Sequence, residues 1–490
     1  MKTKYLALFI VFMGHRIIYS QNITAKLIDK NTQKPIPYAT IKTGEYNGVI
    51  SNEEGYFSLI GENPETTLLN ISCLGYKNIT LSIKDLKKAN YLIKLEEAFN
   101  QLNEIYITNQ RPNVDTIIAG IKKKFKDNYD VNLKTYSIFY RATDYIDFKN
   151  LNFEIDKASQ VSKQQLEQAN ARLEALNRDI INSKTIHFTD FKGNVYLQNR
   201  DNTKLAVTKV TKLIDQKNDF SLKEVEKRAQ HIILKYLDTT KTYKMKSGIF
   251  TVEDSMSLRK ENLKNNSKKE IEITDLKNNT DKLIHKTQLY ENSFLYNILD
   301  TKLYDHTITD VTFFNDEVNY IINYKPRKGK AKYTGNLLVS GNNYAITKLD
   351  FSYFEDRHGS KLNLKLLVGI KFEENINKGT ILFEKQENNK YLPKYIKHET
   401  GNYFYVKRDL TLIENSRNRY KISSEFKIEG NNRHKEELLF TAINTLNLDD
   451  YKAIKQEKST TFQNLNKYEK SIWENEEILE PLEEMKKFNN

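Results

Sequence analysis

Apolar and polar residues alternate with a period of two through much of this chain, and this pattern limits the fold more than any other feature. Short alternating runs separated by turn residues fill positions 22–96, and longer runs fill about 247–430. Successive side chains of a strand point to opposite faces, so such runs favour strands with one buried face. With 490 residues, the chain has room for two to four domains of about 100–200 residues each.

The composition narrows the class of protein. One Cys excludes a disulfide framework and a multi-cysteine metal site, and 7 Pro with 17 Gly exclude collagen-like chains and long linkers. The formal net charge is +13, but Lys greatly outnumbers Arg, the residue best suited to phosphates and base edges. Because no nucleic-acid recognition motif is present, we predict no nucleic-acid partner.

The first twenty residues predict export. Lys2 and Lys4 precede the apolar run 5–13, and Ser20 is a small residue suited to the position before a cleaved bond. An uncleaved anchor is the alternative, but this run is shorter than the roughly twenty residues that span a bilayer. We therefore expect a signal peptide over residues 1–20.

Residues 21–96 predict a small β-sandwich, because short strand-like runs recur at regular spacing between turn residues. A tight turn is expected where Gly55 can supply a positive φ. Tyr38, Phe57 and Tyr76 are the aromatic residues expected in the core of this sandwich.

This segment resembles the carboxypeptidase-regulatory-like (transthyretin-like) domain of Bacteroidota envelope proteins. The resemblance is carried by three ordered blocks, residues 34–41, 51–58 and 71–77. It implies a prealbumin-like sandwich in a protein of the periplasm or the outer-membrane surface. The domain is named for its place behind a zinc carboxypeptidase and is not itself the enzyme.

The set of metal ligands that such an enzyme needs is incomplete in this chain. A zinc carboxypeptidase needs a His-x-x-Glu pair and a later His as metal ligands. His434 and Glu437 form the one such pair, no His follows them, and the turn-like run 430–433 predicts a solvated loop there. Cys73 ends an apolar strand, which favours a small buried hydrophobe over a reactive thiol. We predict no metal, no cofactor and no catalytic residue.

Residues 97–490 predict a larger α+β domain with a curved antiparallel sheet. A helix is expected over 114–129 with Asn113 as its N-cap. A long helix is expected over 156–182, where an apolar seam suits it to cover one face of the sheet.

Two further helical segments are predicted in this domain. One covers residues 221–237, where Ser221 and Glu224 have the spacing of a capping box. The other is a helical tail from about residue 463.

Within the meander, the basic run 325–332 lies between two strands. It is either a patch for phosphate or lipid headgroups or the exposed loop of a hairpin, and the second is favoured. Residues 333–350 and 473–481 are similar to envelope proteins in which the sandwich precedes a curved sheet, reminiscent of lipoprotein-carrier half-barrels. That resemblance implies no particular activity.

Two classes of function fit these observations. The first, which we favour, is a non-catalytic envelope protein that binds a hydrophobic ligand or a protein partner, with peripheral association with the outer membrane. The second is an envelope hydrolase or peptidase-related enzyme. Asp356, His358 and Ser360 form the one compact Asp/His/Ser cluster, without a nucleophile elbow, and a turn is predicted there. The ligand, the partner and the oligomeric state are left open.

Overall fold

The protein is described from a computed structural model that covers residues 22–44, 48–60, 64–98, 113–129, 133–215, 219–248, 250–258, 270–314, 317–386 and 388–489. The predicted signal segment, residues 1–20, lies outside the described residues. The chain divides into two compact units. The small unit contains Met1–Phe99 and Glu469–Glu483, and the large unit contains Asn100–Tyr468 and Glu484–Asn490.

The small unit is a β-sandwich, as the sequence predicts. One sheet has the order β4-β1-β7, with β7 parallel to β1, and the other is antiparallel with the order β3-β2-β5-β6. A short helix, α1, precedes β7. The elements are β1 (Ile23–Asp29), β2 (Thr40–Lys42), β3 (Gly48–Ile50), β4 (Tyr56–Leu59), β5 (Leu68–Ser72), β6 (Ile79–Ser82), α1 (Ile83–Lys88) and β7 (Leu92–Leu95).

Both sheets contribute to one apolar core. Phe57 is fully buried in it, and Cys73 and Tyr76 are half-buried against it. Gly55 has the expected positive φ of 78°. The prediction that Tyr38 lies in the core is wrong. Tyr38 is half-exposed, and its hydroxyl donates to Glu53 at 3.1 Å. Keeping a tyrosine hydroxyl near water and a carboxylate costs less free energy than burying the whole side chain.

The C-terminal segment Glu469–Glu483 completes the small unit. Trp473, in the 3₁₀ turn Lys470–Trp473, is buried. The side chain of Asn52 donates to the carbonyl of Glu480 at 3.0 Å, and the Ser58 hydroxyl donates to the Glu480 carboxylate at 2.6 Å. These contacts hold the segment in an irregular conformation.

The large unit is built on an open sheet that is antiparallel except where β23 pairs in parallel with β10. Its main path runs β14-β15-β16-β17-β19-β20-β21-β8-β9-β10-β23, with β11, β12 and β18 attached beside it, and β13 pairs separately with β22. The strands are β8 (Lys134–Ala158), β9 (Thr185–Asn199), β10 (Asn202–Leu213), β11 (Thr242–Ser247), β12 (Phe250–Ser257), β13 (Glu270–Glu272), β14 (Tyr304–Phe314), β15 (Glu317–Pro326), β16 (Tyr333–Ser340), β17 (Ile346–Tyr353), β18 (Lys361–Leu364), β19 (Ile370–Lys385), β20 (Tyr391–Glu414), β21 (Lys421–Thr445), β22 (Ser459–Thr461) and β23 (Gln463–Leu465).

The helices of the large unit range from four to 20 residues in length. No helix among the described residues is long and apolar enough to cross a membrane. They are α2 (Val114–Asn128), α3 (Lys163–Asn182), α4 (Leu222–Leu234), α5 (Ile273–His285), α6 (Phe294–Ile298), α7 (Lys365–Val368), α8 (Leu448–Ala453) and α9 (Glu483–Lys486).

Several local predictions are confirmed at the helix ends, and two are wrong. The Asn113 side chain caps α2, and the Ser221 side chain caps α4. The long helix α3 begins at Lys163 rather than 156, because β8 continues through Ala158 and the Ser162 capping box starts the helix. The predicted helical tail from about 463 is replaced by β23, the 3₁₀ turn and the four-residue α9.

The strands β8, β20 and β21 run for 24 or 25 residues each. The sequence predicts a turn-like loop at 430–433, where Gly and Asn cluster. Pairing of β21 with both β20 and β8 runs through these positions. Backbone groups paired on both sides outweigh the weak strand preference of Gly and Asn, so the predicted turn is wrong.

Two apolar cores lie on the same face of this sheet, one toward each end of the long strands. The main core is formed with helices α2, α5 and α6, and the distal core with α3 and α4. On β21 the even-numbered side chains share one face; Leu438 and Phe440 enter the main core, whereas Phe426 and Ile428 pack against the distal core.

Candidate functional site

A band of polar side chains separates the two apolar cores on the helix-covered face of the sheet. On β21 the residues between Ile428 and Leu438 that share this face include Asn432, His434 and Glu436. Their directly opposed partners on neighbouring strands share the face too. The polar band consists of Asp144, His187, Glu374, Asn377, His398, Thr400, Asn402, Asn432, His434 and Glu436.

The band follows the hydrogen-bonding direction across five adjacent strands. Its middle row joins Asn377, Thr400, His434, Asp144 and His187, each opposite the next. Neighbouring strands are about 4.8 Å apart, so this row extends about 19 Å. The pairing of strands that are distant in the sequence therefore assembles one continuous polar surface.

Glu436 lies at the centre of a hydrogen-bonded and charged cluster. It accepts a hydrogen bond from the Tyr140 hydroxyl at 2.7 Å. The ring nitrogens of His398 and His434 lie 3.6 and 3.7 Å from its two carboxylate oxygens. On its other side, His434 Nδ1 lies 2.6 Å from the carboxylate of Asp144. The cluster thus combines two imidazoles with two carboxylates.

These contacts shift the protonation equilibria in opposite directions. Burial disfavours the charged form of Glu436, but contacts with His398, His434 and Tyr140 prevail and lower its pKa to about 2. Burial also opposes the charge of His434, but Asp144 and Glu436 raise its pKa to about 10. The structure therefore favours an ionised Glu436 beside a protonated His434 at neutral pH.

His398 differs from His434 in its environment. Burial lowers the pKa of His398, although its contact with Glu436 acts in the opposite direction. Its Nε2 lies 3.1 Å from the Asn377 side-chain oxygen, and the Asn377 amide donates to Glu374 at 3.1 Å. Tyr353 also donates to Glu374, at 2.8 Å. A chain of polar contacts thereby extends the cluster to β17.

Lys286 follows α5 and adds a cation near this cluster. Its ammonium group lies 4.5 Å from the ring centre of Phe294 and 5.3 Å from that of Phe351. Burial lowers its pKa to about 8, although Glu436 and Glu374 favour its charge. Shifted titrations of this kind concentrate at functional sites, but they also occur in structural networks.

Three neighbouring side chains of the band have unused hydrogen-bonding capacity. Thr400, Asn402 and Asn432 are half-exposed, and none of the three side chains hydrogen-bonds within the described part of the chain. Each amide offers two donors and an acceptor, and the hydroxyl offers one donor. This stretch of the band is suited to contact water or a polar ligand.

A cleft of about 460 Å³ lies at the β9 end of the band. His187, its link to the band, lies 3.1 Å from the carboxylate of Asp219. Burial would raise the pKa of Asp219, but the contact with His187 lowers it overall. The cleft is lined by Asp179, Asn182, Ser183, Lys184, Thr185, Ile186, His187, Asp215, Phe220, Arg228, Phe488 and Asn489.

The structure corrects the predicted environment of the His-x-x-Glu pair. His434 lies inside β21 rather than in a solvated loop, and Glu437 lies on the opposite face, where Tyr395 donates to it at 2.7 Å. Residues two apart on a strand share a face, so Glu436 replaces Glu437 as the neighbour of His434. Across the described part of the chain, no group of three or more His, Cys, Asp or Glu residues is arranged to hold a metal ion.

The other sequence candidates do not join the band. Residues 356–360 form a turn, and Asp356, His358 and Ser360 make no hydrogen bond to one another. Of the basic run 325–332, the first two residues end β15 and the other six connect it to β16 as a hairpin loop, as favoured. Sequence reasoning missed the convergence of His398 with His434, because a period of two predicts shared faces but not which strands pair.

Comparison with known proteins identifies the class of the N-terminal part. Residues 23–107 match the model of the CarboxypepD_reg-like domain. The chain therefore carries the regulatory-like β domain that its sequence predicts. No curated protein and no solved structure gives a significant match. The Bacteroidota envelope context and the resemblance of the large unit to curved-sheet proteins stay predictions.

Proposed function

We propose that this chain is a non-catalytic binding protein of the cell envelope, exported to the periplasm or the outer-membrane surface, and that its large unit binds a polar ligand along the polar band. The observation that carries this proposal is the group formed by Thr400, Asn402 and Asn432. Three adjacent polar side chains are half-exposed with no hydrogen bond inside the described chain. A ligand that supplies those hydrogen bonds replaces water at little cost.

The surroundings favour a polar ligand over the hydrophobic one expected from the sequence. Apolar side chains of this face already pack against helices of the same unit, in the main and distal cores. The band instead offers amides, imidazoles and carboxylates, which match a hydroxyl-rich chain such as an envelope glycan. Its length of about 19 Å suits an oligomer better than a single ring.

Envelope location is supported by two features of the N-terminal part. The first twenty residues have the pattern of a secretory signal. The CarboxypepD_reg-like domain follows from residue 23, and the sequence resemblance of this segment is to a domain of envelope proteins. In this proposal, the small unit positions the binding unit in the envelope or contacts a protein partner.

Binding to glycan fragments tests the proposal. The purified chain is first denatured so that mass spectrometry can identify any released ligand, and it is then titrated calorimetrically with soluble envelope-glycan fragments. We expect Asn402→Ala with Asn432→Ala to weaken binding at least tenfold without changing the thermal unfolding midpoint. Asn444→Ala, at an exposed position on the same strand β21, is the matched control.

Equal affinity of the double variant and the control would contradict a site in the band. If the released fraction contains a stoichiometric lipid, a hydrophobic ligand would be favoured over a polar one. A protein recovered by crosslinking, with no glycan binding, would favour the assembly role.

A hydrolase is the second candidate, and one observation favours it. His398, His434 and Glu436 converge although they lie on two strands, and the pKa of Lys286 is near the working pH of a proton donor or acceptor. Hydrolysis would add one water across a bond of the bound ligand: neutral His398, held by Glu436, would take a proton from the attacking water, and Lys286 would give a proton to the leaving oxygen. Release of new reducing ends from glycan fragments, abolished by Glu436→Gln, would establish this reaction.

A further inference from the structure

A cluster of exposed leucines lies beside the distal part of the sheet. We call residues 361–369 the leucine loop, which consists of β18, α7 and Gly369. Leu366 and Leu367 are 100% and 81% exposed, and Leu362 and Leu364 are also exposed. A single exposed leucine is ordinary, but four within six residues form an apolar patch.

The leucine loop is held in a defined conformation. β18 pairs antiparallel with β19, from Lys361 opposite Glu373 to Leu364 opposite Ile370. Gly369 ends α7 with a φ of 66°, and its carbonyl accepts a hydrogen bond from the Lys407 amide at 2.7 Å. A Cβ at Gly369 would lie 2.3 Å from the Lys407 carbonyl oxygen, so glycine is required. The leucines are thus presented to solvent by a fixed turn.

Basic residues surround these leucines in the sequence and in space. Lys361, Lys365 and Lys371 fall within an eleven-residue stretch without a carboxylate. Glu373 lies 3.0 Å from Lys361 and 3.9 Å from Lys371, and it offsets part of their charge. Lys365 lies over the ring of Tyr405, with no carboxylate within 4 Å in the described chain. The local net charge of these four ionisable residues is positive.

A second exposed apolar group follows along the same edge of β20. β11 pairs with β20 from Leu410 onward, and the Gly248 amide donates to the Asp409 carbonyl. On the adjoining β12, Phe250 and Val252 are 63% and 57% exposed. The contact at Asp409 is only two residues along β20 from the leucine loop's anchor at Lys407, so the two groups are neighbours.

We propose that the leucine loop docks on a lipid bilayer that contains anionic lipids. Leu366 and Leu367 enter the boundary between headgroups and acyl chains, and Lys365 and Lys371 contact lipid phosphates. Apolar side chains rimmed by Lys are typical of peripheral membrane attachment. A protein partner is less suited, because one projecting turn buries far less than the roughly 800 Å² per side of a standard interface. This inference does not depend on a ligand in the polar band.

Vesicle cosedimentation tests this surface. The purified chain is mixed with vesicles of phosphatidylcholine and phosphatidylglycerol, and with vesicles of phosphatidylcholine alone. Binding of the unchanged chain is expected with the anionic vesicles only. Leu366→Asn with Leu367→Asn is expected to weaken it at least tenfold, because burial of each leucine contributes on the order of tenfold in affinity. Lys365→Gln with Lys371→Gln is expected to reduce the binding and its sensitivity to salt.

The matched control is Leu68→Asn with Leu448→Asn, which removes two exposed leucines outside the loop. All variants carry the same N terminus, verified by mass, so any contribution of residues 1–20 is common to them. Equal binding by the loop variant and the control overturns the proposal. The proposal is also overturned if the unchanged chain binds neither vesicle type, or if it binds both types equally. Glycan binding is measured on the same samples and is expected to be unchanged by the loop variants.

Discussion

The protonated state of His434 predicts how the stability of the large unit depends on pH. Its pKa rises from 6.5 to about 10 in the folded protein. The folded state then holds a proton that the unfolded chain releases, so the stabilisation is full below pH 6.5 and is lost as the pH rises toward 10. Without screening, this difference corresponds to about 5 kcal/mol. The His434 side chain is 35% exposed, and water screens its ion pairs. We therefore expect this proton to contribute about 1–2 kcal/mol to the free energy of unfolding.

The measurement compares the unchanged chain with His434→Gln. Urea unfolding of the large unit is followed by far-ultraviolet circular dichroism at pH 6.5 and at pH 9.5. Trp473, the single tryptophan of the chain, belongs to the small unit and reports separately on it by fluorescence. His231→Gln, at an exposed position on α4, is the matched control. The other titrating groups are common to all three proteins; the exception is His398, whose pKa is lowered by burial and also by the charge of His434.

We expect the unchanged chain and the control to lose about 1–2 kcal/mol more than His434→Gln between the two pH values. The reasoning about the cluster is refuted if all three proteins lose the same free energy. It is also refuted if His434→Gln becomes more sensitive to pH than the control.

Three further predictions concern stability. Asp190→Ala removes the carboxylate that accepts two hydrogen bonds from Arg141, at 2.7 and 2.9 Å, in a buried site. Chemical denaturation is expected to show a loss of about 3–5 kcal/mol, and a loss below about 1 kcal/mol would contradict a stabilising role of this buried ion pair. Asn52→Ala removes the hydrogen bond to the Glu480 carbonyl and the two that Asn52 accepts from the Glu54 and Tyr56 amides. We expect tryptophan fluorescence to show the small unit destabilised by about 1–3 kcal/mol, and an unchanged transition would mean that these contacts are dispensable. Leu173→Ala leaves a cavity in the distal core and is expected to cost about 2–5 kcal/mol in urea unfolding; a cost near zero would show that α3 is not firmly packed there.

The sequence by itself determined the features that depend on neighbouring residues. Asn113 and Ser221 cap their helices because each side chain needs only an amide two or three residues ahead. The sandwich was predictable for a similar reason, since strands and turns alternate within 75 residues of chain and carry the blocks of a known domain.

Only the tertiary structure decided how distant segments pair. Alternation indicated which residues share a face of β20 or β21, but it did not indicate that His398 lies opposite Glu436. Continuous pairing also kept His434 in a strand, although local Gly and Asn residues predicted a loop. Likewise, contacts with Asn52 hold Glu480 and the segment around it in the small unit, far from its place in the sequence. Each outcome depends on free energies summed over many cross-strand contacts, which no local pattern contains.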